Sequence, residues 1–189
     1  MQKNTKTLSF WNPKRIFYIP EFKTKTICML GLLIAISVVL SMISGYLRIG
    51  NVIKLSISFI SVFIAAYTFG GITGGLVGII ADLISCYVNP VGPLMIQITL
   101  IEFLFGFIYG LFFYKLNTKL YIPMLVCCDT IQFAANVLLK TMILSISYKA
   151  DFHSWFIMRL PACAIQMAII FAVIILIKPF LKSIDKITK

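Results

Sequence analysis

Apolar stretches such as Ile27 to Ile43 carry no charged side chain, and short polar, glycine-bearing or proline-bearing segments separate them. Runs of this kind suit helices crossing a hydrocarbon layer about 30 Å thick, which takes about 20 residues each. A transmembrane β-barrel would instead alternate apolar and polar positions over ~10-residue strands, and that alternation is missing. The pattern predicts helices over 26–44, 57–69, a third ending at Val88, 94–114, 121–147 and 155–181. Glycines 70, 71, 74 and 75 break or tightly turn the chain, and Asn89-Pro90-Val91-Gly92-Pro93 is a turn signal. The expected fold class is an all-α integral membrane bundle of six transmembrane helices. Around the membrane domain, 26–182, lie a basic and aromatic leader, 1–25, suited to the headgroup level, and a basic tail, 183–189.

Composition strengthens the membrane reading. The chain is 60% hydrophobic and 12% charged, with a mean hydropathy of +1.00, against roughly 45–50% apolar and about 25% charged in soluble domains. The formal net charge of +11 does not come from a continuous basic stretch. Most cations flank apolar segments, so the expected partner is membrane lipid and not nucleic acid. Their distribution also sets an orientation. Lys3, Lys6, Lys14, Arg15, Lys23 and Lys25 of the leader, Lys115 and Lys119 between helices 4 and 5, and Lys178, Lys182, Lys186 and Lys189 would share one side. Only Arg48, Lys54 and Lys149 fall on the other, so both termini are expected in the cytoplasm of a multi-pass plasma-membrane protein. Arg48 and Lys54 then face outward against the usual bias. Either they cap a helix end and touch lipid phosphate, or they meet an anionic solute arriving from outside.

Polar side chains at membrane depth need partners or a cavity. Asp129, Gln132, Asn136 and Lys140 step by three, four and four residues and so share one face of helix 5. Arg159, Cys163 and Gln166 form a second partly polar face on helix 6, while helix 4 contributes Gln97 near its outer start and Glu102 deeper in. One reading is interhelical glue, at about 0.6 kcal/mol per hydrogen bond. The other is a site whose amides and cations suit a ligand with hydrogen-bonding edges and carboxylates. Gly70-Gly74-Gly78 with Asp82, Gly106 with Gly110, and Gly31 with Ala35 are small-xxx-small patterns that allow close helix approach, inside the fold or against another subunit.

The chain has no GxxxxGK[ST] loop, no GxSxG elbow, and one histidine, His153, so no HExxH zinc site. Its five cysteines lack CxxC pairing and read as packing residues. No catalytic residue, metal or cofactor is expected. A membrane-embedded enzyme would need clustered carboxylates, whereas Asp82, Glu102 and Asp129 sit singly on different helices.

Arg48-Ile-Gly50, Lys54-Leu-Ser-Ile-Ser-Phe59, Ala65-Ala-Tyr-Thr-Phe-Gly-Gly71, Gly74-Gly-Leu-Val-Gly78 through Asp82-Leu83, Pro90-Val-Gly92, Gly106-Phe-Ile-Tyr-Gly-Leu-Phe-Phe-Tyr114 and Asn136 follow one another in a familiar order. Across residues 26 to 182 the chain resembles the substrate-binding S components of energy-coupling factor vitamin transporters, most closely the folate branch. The resemblance implies a non-catalytic six-helix protein that binds a vitamin from outside and associates with a transmembrane coupling subunit and two ATPase subunits. Loop 1 and helices 4 to 6 would form the pocket, with Arg48, Lys54, Gln97, Asn136, Lys140 and Arg159 as substrate-binding residues. Helices 1 to 3 would meet the coupling subunit, with Gly31 and Ala35 standing where the family carries an Ala-x-x-x-Ala motif. One departure is Ile96-Gln97-Ile98-Thr99-Leu100, where folate members carry a Pro-Gly-Phe-Thr-like run. Folate leads as the ligand; a queuosine precursor or pantothenate comes next.

Overall fold

The computed structural model describes residues 23–46, 48–49, 53–54, 57–88, 95–114, 121–149 and 151–188. Among the described residues six helices follow in order: α1 (Thr24–Tyr46), α2 (Phe59–Phe69), α3 (Gly71–Val88), α4 (Ile96–Phe113), α5 (Tyr121–Tyr148) and α6 (Phe152–Thr188). Five of these have apolar windows long enough to cross a membrane. The 11-residue α2 rises only roughly 16 Å, about half the hydrocarbon thickness. Between α1 and α2 the backbone forms a small antiparallel hairpin, β1 (Arg48–Ile49) and β2 (Ile53–Lys54), whose register pairs Arg48 with Lys54. The leader from 1 to 22 lies outside the described residues. The segment expected as a separate tail from 183 continues α6 in helical backbone to Thr188, because nothing after Pro179 interrupts the backbone hydrogen-bond ladder.

One residue reverses the chain between α2 and α3. Gly70 sits at φ 97° and ψ 175°, a left-handed region that side chains disfavour, and it folds the two helices into an antiparallel pair. A Cβ placed on Gly74 would lie 2.5 Å from the Cβ of Ala66, which shows how closely they run. Contact between α3 and α4 is closer still. A Cβ on Gly106 would sit 2.5 Å from the carbonyl oxygen of Gly74, and one on Gly110 would sit 2.2 Å from the Cα of Gly71. The glycine arrays expected to bring helices together therefore do so within the fold, backbone against backbone.

The packed centre is aromatic. The Phe63 ring stands edge-on to Tyr109 and to Phe113, each at 5.2 Å, and Phe113 stands edge-on to Tyr121 at 5.1 Å. These offset arrangements join α2, α4 and α5. The Tyr121 hydroxyl donates to the carbonyl of Ile174 at 3.2 Å, tying α6 to the same core. On α1 the usual polarity is inverted: Ser37, Ser41 and Ser44 are buried, while Leu32, Ile36, Val39 and Ile43 are exposed. That arrangement suits a helix whose surroundings are lipid and whose inner face borders a polar interior.

Candidate functional site

The serine face of α1 borders a cavity of about 60 Å³ in the half of the bundle nearest the hairpin. Ser37 and Ser41 line it from α1, Phe59 and Val62 from α2, Asp82 and Ser85 from α3, Glu102, Phe105 and Tyr109 from α4, and Gln132 from α5. The Ser37 hydroxyl donates to the carbonyl of Ser58 at 3.3 Å, and the Ser44 hydroxyl accepts from the amide of Ile57 at 2.9 Å. These bonds pin the chain leaving the hairpin across the mouth of α1. The lining, a few polar groups among apolar walls, is of the kind that small-molecule sites carry.

A second, smaller crevice of about 10 Å³ opens between α5 and α6, lined by Asp129, Gln132 and Asn136 on one side and Cys163 and Gln166 on the other. Gln132 borders both spaces. The Tyr109 hydroxyl from α4 lies against Asp129 Oδ1 at 3.2 Å and against Gln132 Oε1. Having one proton, it serves one of these oxygens at a time. Asp129 Oδ2 is buried with no hydrogen-bond partner among the described residues.

Helix α5 does not keep α-helical spacing through its polar stripe. Residues Asn136–Lys140 form a π turn, whose wider winding advances each residue by a smaller angle than an α-helix does. Lys140 consequently lags behind the position its four-residue step from Asn136 implies. Asn136 borders the α5–α6 crevice, whereas the Lys140 ammonium meets Glu102 Oε1 of α4 at 2.6 Å and lies 5.3 Å from the centre of the Phe105 ring. Such π turns commonly mark functional positions.

The structure brings some of the expected binding residues together and separates others. Asn136 lines the α5–α6 crevice, Lys140 turns to Glu102 of α4, and Arg159 lines neither space, although Cys163 of the crevice is within electrostatic reach of both cations. Arg159 is half-buried, and one of its terminal nitrogens, NH1, is buried without a hydrogen-bond partner among the described residues. Gln97 is exposed on the first turn of α4 and lines neither space. For Arg48 and Lys54 only the paired backbone is described. Sequence reasoning did not single out the α1 serines or Tyr109, although the spacing of Leu33, Ser37, Ser41 and Ser44 traces one helical face and was the available signal. Among the described residues no three histidine, cysteine or acidic side chains gather to hold a metal.

Gly31 and Ala35 both lie on the exposed side of α1, and a Cβ on Gly31 would meet nothing within 4 Å. This small-residue step faces away from the bundle, unlike those of α3 and α4.

Comparison with known proteins points the same way as this geometry. The chain is 25% identical over 145 residues to the folate transporter FolT of Leuconostoc mesenteroides subsp. mesenteroides, covering 76% of each chain. Its fold matches the crystal structure of FolT bound with folic acid at a TM-score of 0.64 and 27% identity, over 84% of this chain and 94% of that one. Residues 25–178 match the model of the ECF transporter substrate-specific component. With its apolar helices and the family match over most of its length, this chain is a membrane-embedded transport subunit and belongs to the family of ECF transporter substrate-specific components.

Proposed function

We propose that this protein captures folate at the outer face of the membrane and delivers it inward together with a transmembrane coupling subunit and two ATPase subunits. The observation that carries this reading is the match along most of the chain to FolT in its folic-acid-bound form, combined with a polar cavity beneath the hairpin. Both termini lie in the cytoplasm in this reading, and the Arg48–Lys54 hairpin faces out. Arg159 supplies the chief anchor for the ligand's carboxylates, since a guanidinium nitrogen left unpaired inside a bundle gains most from an incoming anion. Arg48 and Lys54 attract the same acidic end at the entrance. Asn136 and Lys140 contribute from α5, and Gln97 from the start of α4.

Equilibrium binding on the purified full-length chain tests the ligand. Saturable retention of radiolabelled folic acid, one per chain, is the expected result. Retention of pantothenate or a queuosine precursor in its place, with none of folic acid, would assign the site to another solute.

The exposed step of Gly31 and Ala35 provides a close-approach face for the coupling subunit in this reading. Ala35→Leu is expected to leave folic acid affinity unchanged while weakening co-purification with the coupling subunit about tenfold, the equivalent of ~1.4 kcal/mol. Undiminished co-purification would place that contact elsewhere.

A further inference from the structure

The cavity beneath the hairpin is charged in the opposite sense to the ligand's acidic end. Its ionisable carboxylates are Asp82 and Glu102, and no lysine or arginine lines it among the described residues. Asp82 Oδ2 accepts a hydrogen bond from the Thr99 hydroxyl at 2.8 Å. Glu102 is engaged differently. Lys140 holds its Oε1 at 2.6 Å, and the glutamate side chain keeps 33% of its surface accessible, against 14% for the lysine. The lysine is thus the buried member of the pair, braced over the Phe105 ring, and the carboxylate is the member presented to the cavity. An ion pair at membrane depth serves no lipid contact, and the residue that lines the cavity is the glutamate, not the lysine.

A ligand carboxylate would be repelled from this cavity, so the acidic end belongs with Arg159, and the opposite end of the ligand comes to Glu102. On folate that end is a 2-amino-4-oxopyrimidine edge, whose ring N–H and exocyclic amino group are adjacent donors. Two parallel donors are what a carboxylate accepts as a fork. We propose that Glu102 reads this aminopyrimidinone edge and so determines specificity for it, with Lys140 as the positioning residue that aims the carboxylate into the cavity. The inference rests on the folate reading given above.

Calorimetric titration of the full-length protein with folic acid and with its 2-desamino analogue tests it. The parent is expected to prefer folic acid, because the analogue leaves one carboxylate oxygen without its donor. Glu102→Gln should lower folic acid affinity by about tenfold to a hundredfold while changing affinity for the analogue far less, which erases the preference. Glu102→Gln combined with Lys140→Met removes both charges, leaves no ammonium stranded, and should erase the preference equally. With Glu102 intact, Lys140→Met should lose part of the preference and Lys140→Arg should keep more of it. An equal fall for both ligands, or an unchanged preference in both variants, would overturn the assignment of Glu102 while leaving the folate reading intact. Failure of the parent to bind folic acid would overturn the folate reading itself, and this inference with it.

Discussion

Gly110→Ala is expected to lower the unfolding free energy by about 1–3 kcal/mol, whereas Gly31→Ala should leave it nearly unchanged. Both substitutions add one methyl group to a small-residue step in an apolar helix. They differ in what the methyl meets. At Gly110 it would lie 2.2 Å from Gly71 Cα and 2.3 Å from Gly71 nitrogen, backbone atoms that cannot rotate aside, so α3 and α4 must separate. At Gly31 nothing stands within 4 Å. Separation would also widen the cavity that both helices line with Asp82 and Glu102, so folic acid affinity should fall together with stability. Thermal unfolding of the two variants in the same detergent is the measurement. Equal melting temperatures would show that the α3–α4 contact yields more easily than its backbone geometry allows.

Arg159→Ala is expected to move binding and stability in opposite directions. The guanidinium carries a buried nitrogen without a partner among the described residues, and an unpaired polar group away from water is costly. Removing it should leave the empty protein as stable as the parent or more so. The bound protein should lose a charge-assisted hydrogen bond to the ligand's carboxylate, about 1.5–3 kcal/mol, which corresponds to roughly a tenfold to hundredfold weaker affinity for folic acid. 6-Methylpterin, which carries no carboxylate, should bind parent and variant alike. A parallel loss for both ligands would mean that Arg159 shapes the bundle and does not touch the acidic end. This pair of ligands also separates Arg159 from Glu102, whose substitution acts on the end that folic acid and 6-methylpterin share.

Some residues of the candidate site are legible in the chain alone and others are not, for physical reasons. Asn136, Lys140 and Arg159 stand out because an amide or a charge within an apolar run carries an insertion cost that demands an explanation. The α1 serines do not stand out, since a hydroxyl is cheap to place in a helix and returns its hydrogen bond to its own backbone, as Ser44 does to the carbonyl of Leu40 at 2.8 Å. The partner of Lys140 is invisible for a different reason. Glu102 lies 38 residues away, and the π turn that aims the lysine at it follows from how α5 packs between α4 and α6. Among the described residues, none of the cations expected in the pocket lines the cavity under the hairpin, where carboxylates of α3 and α4 stand instead.

The sequence by itself determined that this is a membrane protein of six apolar helices, where the chain turns, and where polar groups sit at depth. Those features are local: a run of about 20 apolar residues has one stable home, and a glycine at a reversal is needed wherever the fold places it. Only the tertiary structure decided which glycine steps close on a neighbouring helix and which remain open, which carboxylate meets Lys140, and that the cavity under the hairpin is acidic. Lipid surrounds the bundle on all sides, so hydrophobicity cannot choose one helix face over another there. Shape and hydrogen bonding between faces make that choice, and both are properties of pairs of helices distant along the chain.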